Sequence, residues 1–128
     1  MRLLLDTHIA LWAVVGSKAL PARAAEAILA ADEVFVSVAS LWEIAIKRAL
    51  GKGSMPVTAA QALRAFDDAG YQRLDIRPAH ALRVEALPSL HRDPFDRLLV
   101  AQAQTEPLLL LTADPALAGY GAAVMAVP

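Results

Sequence analysis

The stretch Arg2-Leu3-Leu4-Leu5-Asp6-Thr7-His8 decides the fold. Its apolar run ends at Leu5, too soon for a helix, and reads as a buried strand. Asp6-Thr7 then opens a helical pattern, with Ile9, Leu11, Trp12 and Val15 available for packing. The alternation continues outward from there. Pro21 starts a helix over 22–31 on strong helix formers. Residues 33–38 alternate as a strand, and 39–50 form a helix closed by Gly51-Lys52-Gly53. Further helices are predicted over 58–69, 78–87 and from Asp93-Pro94 to about 105. Strands are predicted over 108–111 and 122–127, with 71–76 the weakest of them. Strands separated by helices imply right-handed parallel crossovers. The predicted fold is α/β, a three-layer α/β/α sandwich around a central, mainly parallel sheet. In such sheets the functional crevice lies beyond the carboxyl ends of the strands.

Composition sets the class. The 128 residues fit a single domain over 1–128, long enough to bury roughly two-thirds of its unfolded surface. Apolar residues make up 57% and charged ones 20%, which excludes intrinsic disorder. Alanine accounts for 28 of the apolar residues, pointing to close-packed helices. The absence of cysteine excludes disulfides, thiolate metal sites and Cys nucleophiles. Asp6 and His8 interrupt the apolar start too early for a signal peptide, and no run approaches the roughly 18 apolar residues of a membrane span. A cytoplasmic protein is expected. The formal charge of −1 argues at first sight against work on nucleic acid.

Four carboxylates stand in conspicuous places. Asp6 follows the first strand directly, and Asp114 follows the 108–111 strand after Thr112-Ala113. Both would lie at the carboxyl edge of the sheet, and both also suit helix N-caps. Glu43 sits in Leu41-Trp42-Glu43-Ile44-Ala45-Ile46, a helix apolar on nearly every side. Its alternatives are an exposed pair with Lys47 or a buried acid in need of a cation. Asp93 is a cap with Pro94 behind it, whereas Asp96 heads an apolar helix and faces a protein-lined space. Carboxylate oxygens suit a hard divalent cation, without which clustered acids raise one another's pKa. Spacing alone does not bring the four together.

The segments Leu3-Leu4-Leu5-Asp6-Thr7-His8, Ser40-Leu41-Trp42-Glu43-Ile44, Asp93-Pro94-Phe95-Asp96-Arg97-Leu98-Leu99-Val100-Ala101-Gln102-Ala103 and Leu111-Thr112-Ala113-Asp114 resemble a PIN domain. More narrowly, they are similar to the VapC-type ribonuclease toxins of toxin–antitoxin pairs. The resemblance spans the whole chain in order. It implies an acidic site holding Mg²⁺ or Mn²⁺, with the family's invariant acids on Asp6, Glu43 and Asp96 and its common fourth on Asp114. It also implies a hydroxyl beside that site at Thr112, metal-dependent cleavage of RNA, a homodimer, and silencing by a small antitoxin that inserts a basic residue near the metals. Asp6 and Asp96 are the leading metal pair.

Other polar residues carry weaker signals. Lys47, Arg48 and Lys52 form the densest basic cluster, read either as a phosphate-contacting loop or as cations favoured at a helix C-terminus. His8 reads as a packed or solvated first-turn residue, and His91 and Arg92 as phosphate contacts or solvated groups. Trp12, Trp42 and Phe95 read as core aromatics, with base stacking the other use for such rings. Leu11, Trp12 and Val15 also suit a dimer or antitoxin groove. A haloacid-dehalogenase-like phosphatase is the competing enzyme class, but it needs a second Asp two residues after the first, where His8 stands. A catalytically inactive PIN-like module would more readily have lost one of the acids. If four of the 13 acids turn inward, nine remain against 12 basic residues, an excess of three positive charges at the surface. The near-neutral total is then compatible with a nucleic-acid partner.

Overall fold

A computed structural model gives the fold and describes residues 1–51 and 55–128. Five strands form one sheet: β1 (Arg2–Leu5), β2 (Glu33–Ser37), β3 (Gln72–Leu74), β4 (Leu109–Thr112) and β5 (Val124–Ala126). Their order is β3-β2-β1-β4-β5, and every neighbouring pair is parallel. Among the described residues the sheet is therefore wholly, not just mainly, parallel. The helices are α1 (Thr7–Val15), α2 (Ala22–Ala30), α3 (Val38–Ala49), α4 (Ala59–Asp68), α5 (Pro78–Ala86) and α6 (Pro94–Thr105). Each predicted element forms, with ends displaced by at most two residues. One element was marked in the sequence only by its start, the Asp114 cap before Pro115: a 3₁₀ turn, Pro115–Tyr120, between β4 and β5. A 3₁₀ turn this short carries no helical periodicity to read.

Strand side chains alternate between the two faces of the sheet. Leu3, Leu5, Val36 and Leu111 pack with Ile9, Ile44, Ala62 and Phe66 on one face. Leu4, Phe35 and Leu110 pack with Leu87, Leu99, Val100 and Leu117 on the other. With helices on both faces, β1 has no wet side. An unbroken Leu3-Leu4-Leu5 run is what such a strand requires.

The strand order reverses at β1, with β2 and β3 to one side and β4 and β5 to the other. The crevice of a sheet wound in this way lies outside the carboxyl ends of the strands at the reversal, here β1 and β4. Their register sets Leu5 opposite Leu111, and the Asp6 amide continues the pairing by donating to the Leu111 carbonyl at 3.0 Å.

Two caps aim the helices that meet this crevice. Ser37 Oγ accepts from the Ala39 amide at 3.0 Å and starts α3 as β2 ends. Asp93 Oδ1 accepts from the Phe95 and Asp96 amides at 2.8 and 3.3 Å, with Pro94 at the first helical position of α6. Asp93→Ala is expected to cost about 1 kcal/mol, a typical N-cap loss, read as a melting midpoint lowered by a few degrees. No helix among the described residues is long and apolar enough to cross a membrane.

Candidate metal centre

Asp6 leaves β1 and Asp114 follows β4, so the sheet sets both at its carboxyl edge. Asp6 stands at the start of α1 but its side chain makes no capping hydrogen bond, contrary to the capping alternative. Its Oδ2 instead accepts from the Thr112 hydroxyl at 2.6 Å, across to the neighbouring strand. The same hydroxyl oxygen accepts from the Asp114 amide at 3.0 Å. One fully buried hydroxyl thus orients both strand-end acids. Asp114 does act as a cap, Oδ1 accepting from the Ala116 amide at 2.9 Å. Its Oδ2 faces His91 Nε2 at 3.1 Å.

Glu43 lies on the inward face of α3 with Ser40 and Ile44, only 2% exposed. Its Oε2 accepts from Lys47 Nζ at 2.5 Å, but its buried Oε1 has no hydrogen-bond partner. The pair with Lys47 forms, yet the acid is buried, so an exposed helix pair does not describe it. A desolvated carboxylate oxygen without a partner is expensive.

Asp96, in the first turn of α6, is pushed up to about 8. Burial is the main cause, followed by the negative charges of Asp6, Asp93, Glu43 and Asp114. Asp6 is raised as well, chiefly by burial, with the Thr112 hydroxyl and His8 pulling the other way and Glu43 adding to the rise. These mutual effects bring Asp6, Glu43, Asp96 and Asp114 into one electrostatic site, assembled from two strand ends and two helices.

His91, read from the sequence as a phosphate contact or a solvated group, is a member of the acidic cluster that sequence reasoning did not place there. Its Nε2 lies 3.1 Å from Asp114 and 3.7 Å from Asp96. His91, Asp96 and Asp114 can each offer a ligand atom within 4.8 Å of the others. His91 Nδ1 accepts from the Asp93 amide at 3.1 Å, which assigns the ring hydrogen to Nε2 and makes it the donor to Asp114. The available signal was the Asp-Pro turn that folds His91 back over the start of α6.

Of the basic cluster, Lys47 meets the acids directly. Burial pulls its ammonium down, but Glu43, Asp93 and Asp96 more than offset this and leave it above its ordinary value. Arg48 donates to the Met55 carbonyl at 2.8 Å, tying the end of α3 to the chain beyond it. Lys52 lies outside the described residues. His8 is exposed and packs against Trp12, ring centroids 5.8 Å apart. Trp42 departs from the core reading: it is 55% exposed.

Carboxylates gathered at the strand-order reversal of a parallel sheet are the arrangement that the sequence resemblance implied, and the PIN domain family model matches residues 3–122. The chain belongs to the PIN domain family. Among curated proteins, none matches the sequence. Solved structures do share the fold. A toxin–antitoxin complex from Klebsiella pneumoniae contains a chain 21% identical to this PIN domain, with a TM-score of 0.66, covering 95% of this chain and 94% of that one. FitAcB from Neisseria gonorrhoeae is 17% identical, with a TM-score of 0.63 and 96% of each chain covered. VapBC2 from Rickettsia felis, bound to a DNA fragment from its promoter, is 18% identical, with a TM-score of 0.61 and 89% of each chain covered. PIN membership displaces the dehalogenase-like phosphatase alternative.

Proposed function

We propose that this PIN domain is a metal-dependent endoribonuclease that cleaves RNA phosphodiester bonds, and that it is the toxin of a cytoplasmic toxin–antitoxin pair. The observation that carries the reading is Glu43 Oε1, a buried carboxylate oxygen with no partner, beside Asp6 and Asp96, both raised by burial and by neighbouring negative charge. Such a donor set fits a hard divalent cation. Asp6, Glu43, Asp96 and Asp114 are the residues that would hold Mg²⁺ or Mn²⁺. A cation bound there neutralises phosphodiester charge and acidifies water. The chain's own residues set the stage for that chemistry. Thr112 orients Asp6, His91 and the Ala116 amide fix Asp114, and Lys47 balances Glu43. Lys47, Arg48 and Lys52 are the proposed phosphate contacts on the substrate strand.

The proposed unit is a single domain over 1–128, working as a homodimer beside a small antitoxin. A cavity of about 290 Å³ bordered by Leu11, Trp12, Val15 and Pro56 supports antitoxin contact at the α1 face. Purified protein is expected to cut single-stranded RNA with Mg²⁺ or Mn²⁺ and to stop when EDTA is added. No cleavage with either cation would favour a catalytically inactive module. Induced expression is expected to arrest growth, and Asp96→Asn to relieve the arrest; a toxic Asp96→Asn chain would separate toxicity from this site.

Thr112→Val tests the positioning of the acids. It removes the donor to Asp6 and the acceptor for the Asp114 amide while keeping the side-chain shape. Cleavage is expected to drop about 10- to 100-fold, the usual loss for a residue that orients metal-binding groups. Unchanged turnover would show that the hydroxyl orients nothing of consequence.

A further inference from the structure

The polarity of α3 is inverted at its centre. Glu43 is turned into the protein, while its neighbour Trp42 stands 55% exposed. Across the crevice the same pairing recurs on α6, where Phe95 precedes Asp96. The two aromatic rings meet edge to face, centroids 5.1 Å apart and planes at 77°. Phe95 is half-buried and braces the indole, so Trp42 is held in solvent and does not collapse onto the surface. Each ring belongs to the residue directly before one of the clustered acids. A large rigid indole costs little entropy to order and has no packing reason to remain wet. Local rules broken in this way mark functional positions.

We infer that Trp42, braced by Phe95, is a stacking platform for an unpaired nucleobase next to the scissile phosphate. The inference rests on the nuclease reading above and adds to it a residue that positions the substrate strand. Phosphate contacts position a strand without discriminating among its forms. A flat ring discriminates, because only an unstacked base has a free π-face to offer it. Every base has such a face, so the platform selects for single-strandedness more than for sequence. Trp42 is a positioning residue: it fixes the nucleotide beside the carboxylates and takes no part in bond breaking.

The chain has two tryptophans, so Trp12→Phe leaves Trp42 as the sole indole reporter. In Trp12→Phe protein that also carries Asp96→Asn, a mixed-sequence single-stranded oligoribonucleotide is expected to quench the indole emission. An abasic strand of equal length and charge is expected to leave it unchanged. Trp42→Ala is expected to weaken binding of the base-bearing strand about tenfold, with no change for the abasic strand, and Trp42→Phe to retain most of the affinity. Equal binding of the two strands, or full affinity in Trp42→Ala, would overturn the inference. So would an indole already shielded from acrylamide in the free protein, with shielding that rises with protein concentration, since a second copy would then cover the ring. Failure of the nuclease reading has a different signature: no RNA cleavage by the unmutated chain with Mg²⁺ or Mn²⁺, whatever the indole reports.

Discussion

Asp96→Asn is expected to remove cation-dependent RNA cleavage by about 10²–10³-fold or more while leaving the fold intact. Burial and the neighbouring acids push Asp96 up to about 8, so in cation-free protein it favours the protonated form at neutral pH. Asparagine keeps the shape and removes the charge. It therefore mimics the proton-bound form that folds well and binds no cation. The melting midpoint of the variant is expected to stay level or rise, which separates a lost site from a lost fold. Asp6→Asn is expected to behave alike, since Asp6 is buried and raised by the same surroundings. Full cleavage by either purified variant would sink the assignment.

Cation-free protein is expected to lose stability as pH rises from about 5 to 8. The sign follows from proton linkage. Unfolded, Asp96 ionises near 3.8; folded, near 8. Between those values the native chain holds a proton that the unfolded chain has released, so raising the pH favours unfolding. The preference is complete below the lower value and gone above the upper one. Each pKa unit corresponds to about 1.4 kcal/mol, and with allowance for solvent around Asp96 a loss of roughly 2–4 kcal/mol is expected. At this chain length that lowers the melting midpoint by about 10 °C. Asp6 adds to the trend in the same direction. Mn²⁺ at a hundredfold excess over its Kd is expected to return about 2.7 kcal/mol at pH 8. The comparison with Asp96→Asn isolates the effect from the histidines, because the variant lacks this titration. Parallel melting-versus-pH curves for the two proteins would refute it.

The fold was legible wherever one force dominated. Leu3-Leu4-Leu5 and Leu109-Leu110-Leu111 are strands because both of their faces are buried, and Asp93-Pro94 starts a helix by its own chemistry. β3 was the weakest reading because it is a three-residue edge strand, two of whose residues are exposed Gln72 and Arg73. The four acids could be named from their segments, but not gathered. Their encounter depends on the β1–β4 register and on α3 crossing α6, neither of which has a local signature. Trp42 misled for a related reason. Apolar neighbours on both sides suggested burial, whereas the helix turns Ser40, Glu43 and Ile44 inward and leaves the indole outside. His91 was read as a phosphate contact or a solvated group, and its tie to the acids was not legible because its partners lie five and 23 residues along the chain.

The hydrogen bond from the Asp6 amide to Leu111 divides the centre mechanically. β1 is paired on both edges and buried on both faces, so its amides exchange with solvent only when the whole domain opens. The Asp6–Thr112–Asp114 side is therefore a fixed anvil. Glu43 and Asp96 ride on separate helices, which can slide or tilt without breaking a strand. Any widening or tightening of the cleft must come from those two helices. A cation that draws the acids together would slow exchange in β1 only by as much as it stabilises the whole domain, and in the first turn of α6 also by suppressing local opening.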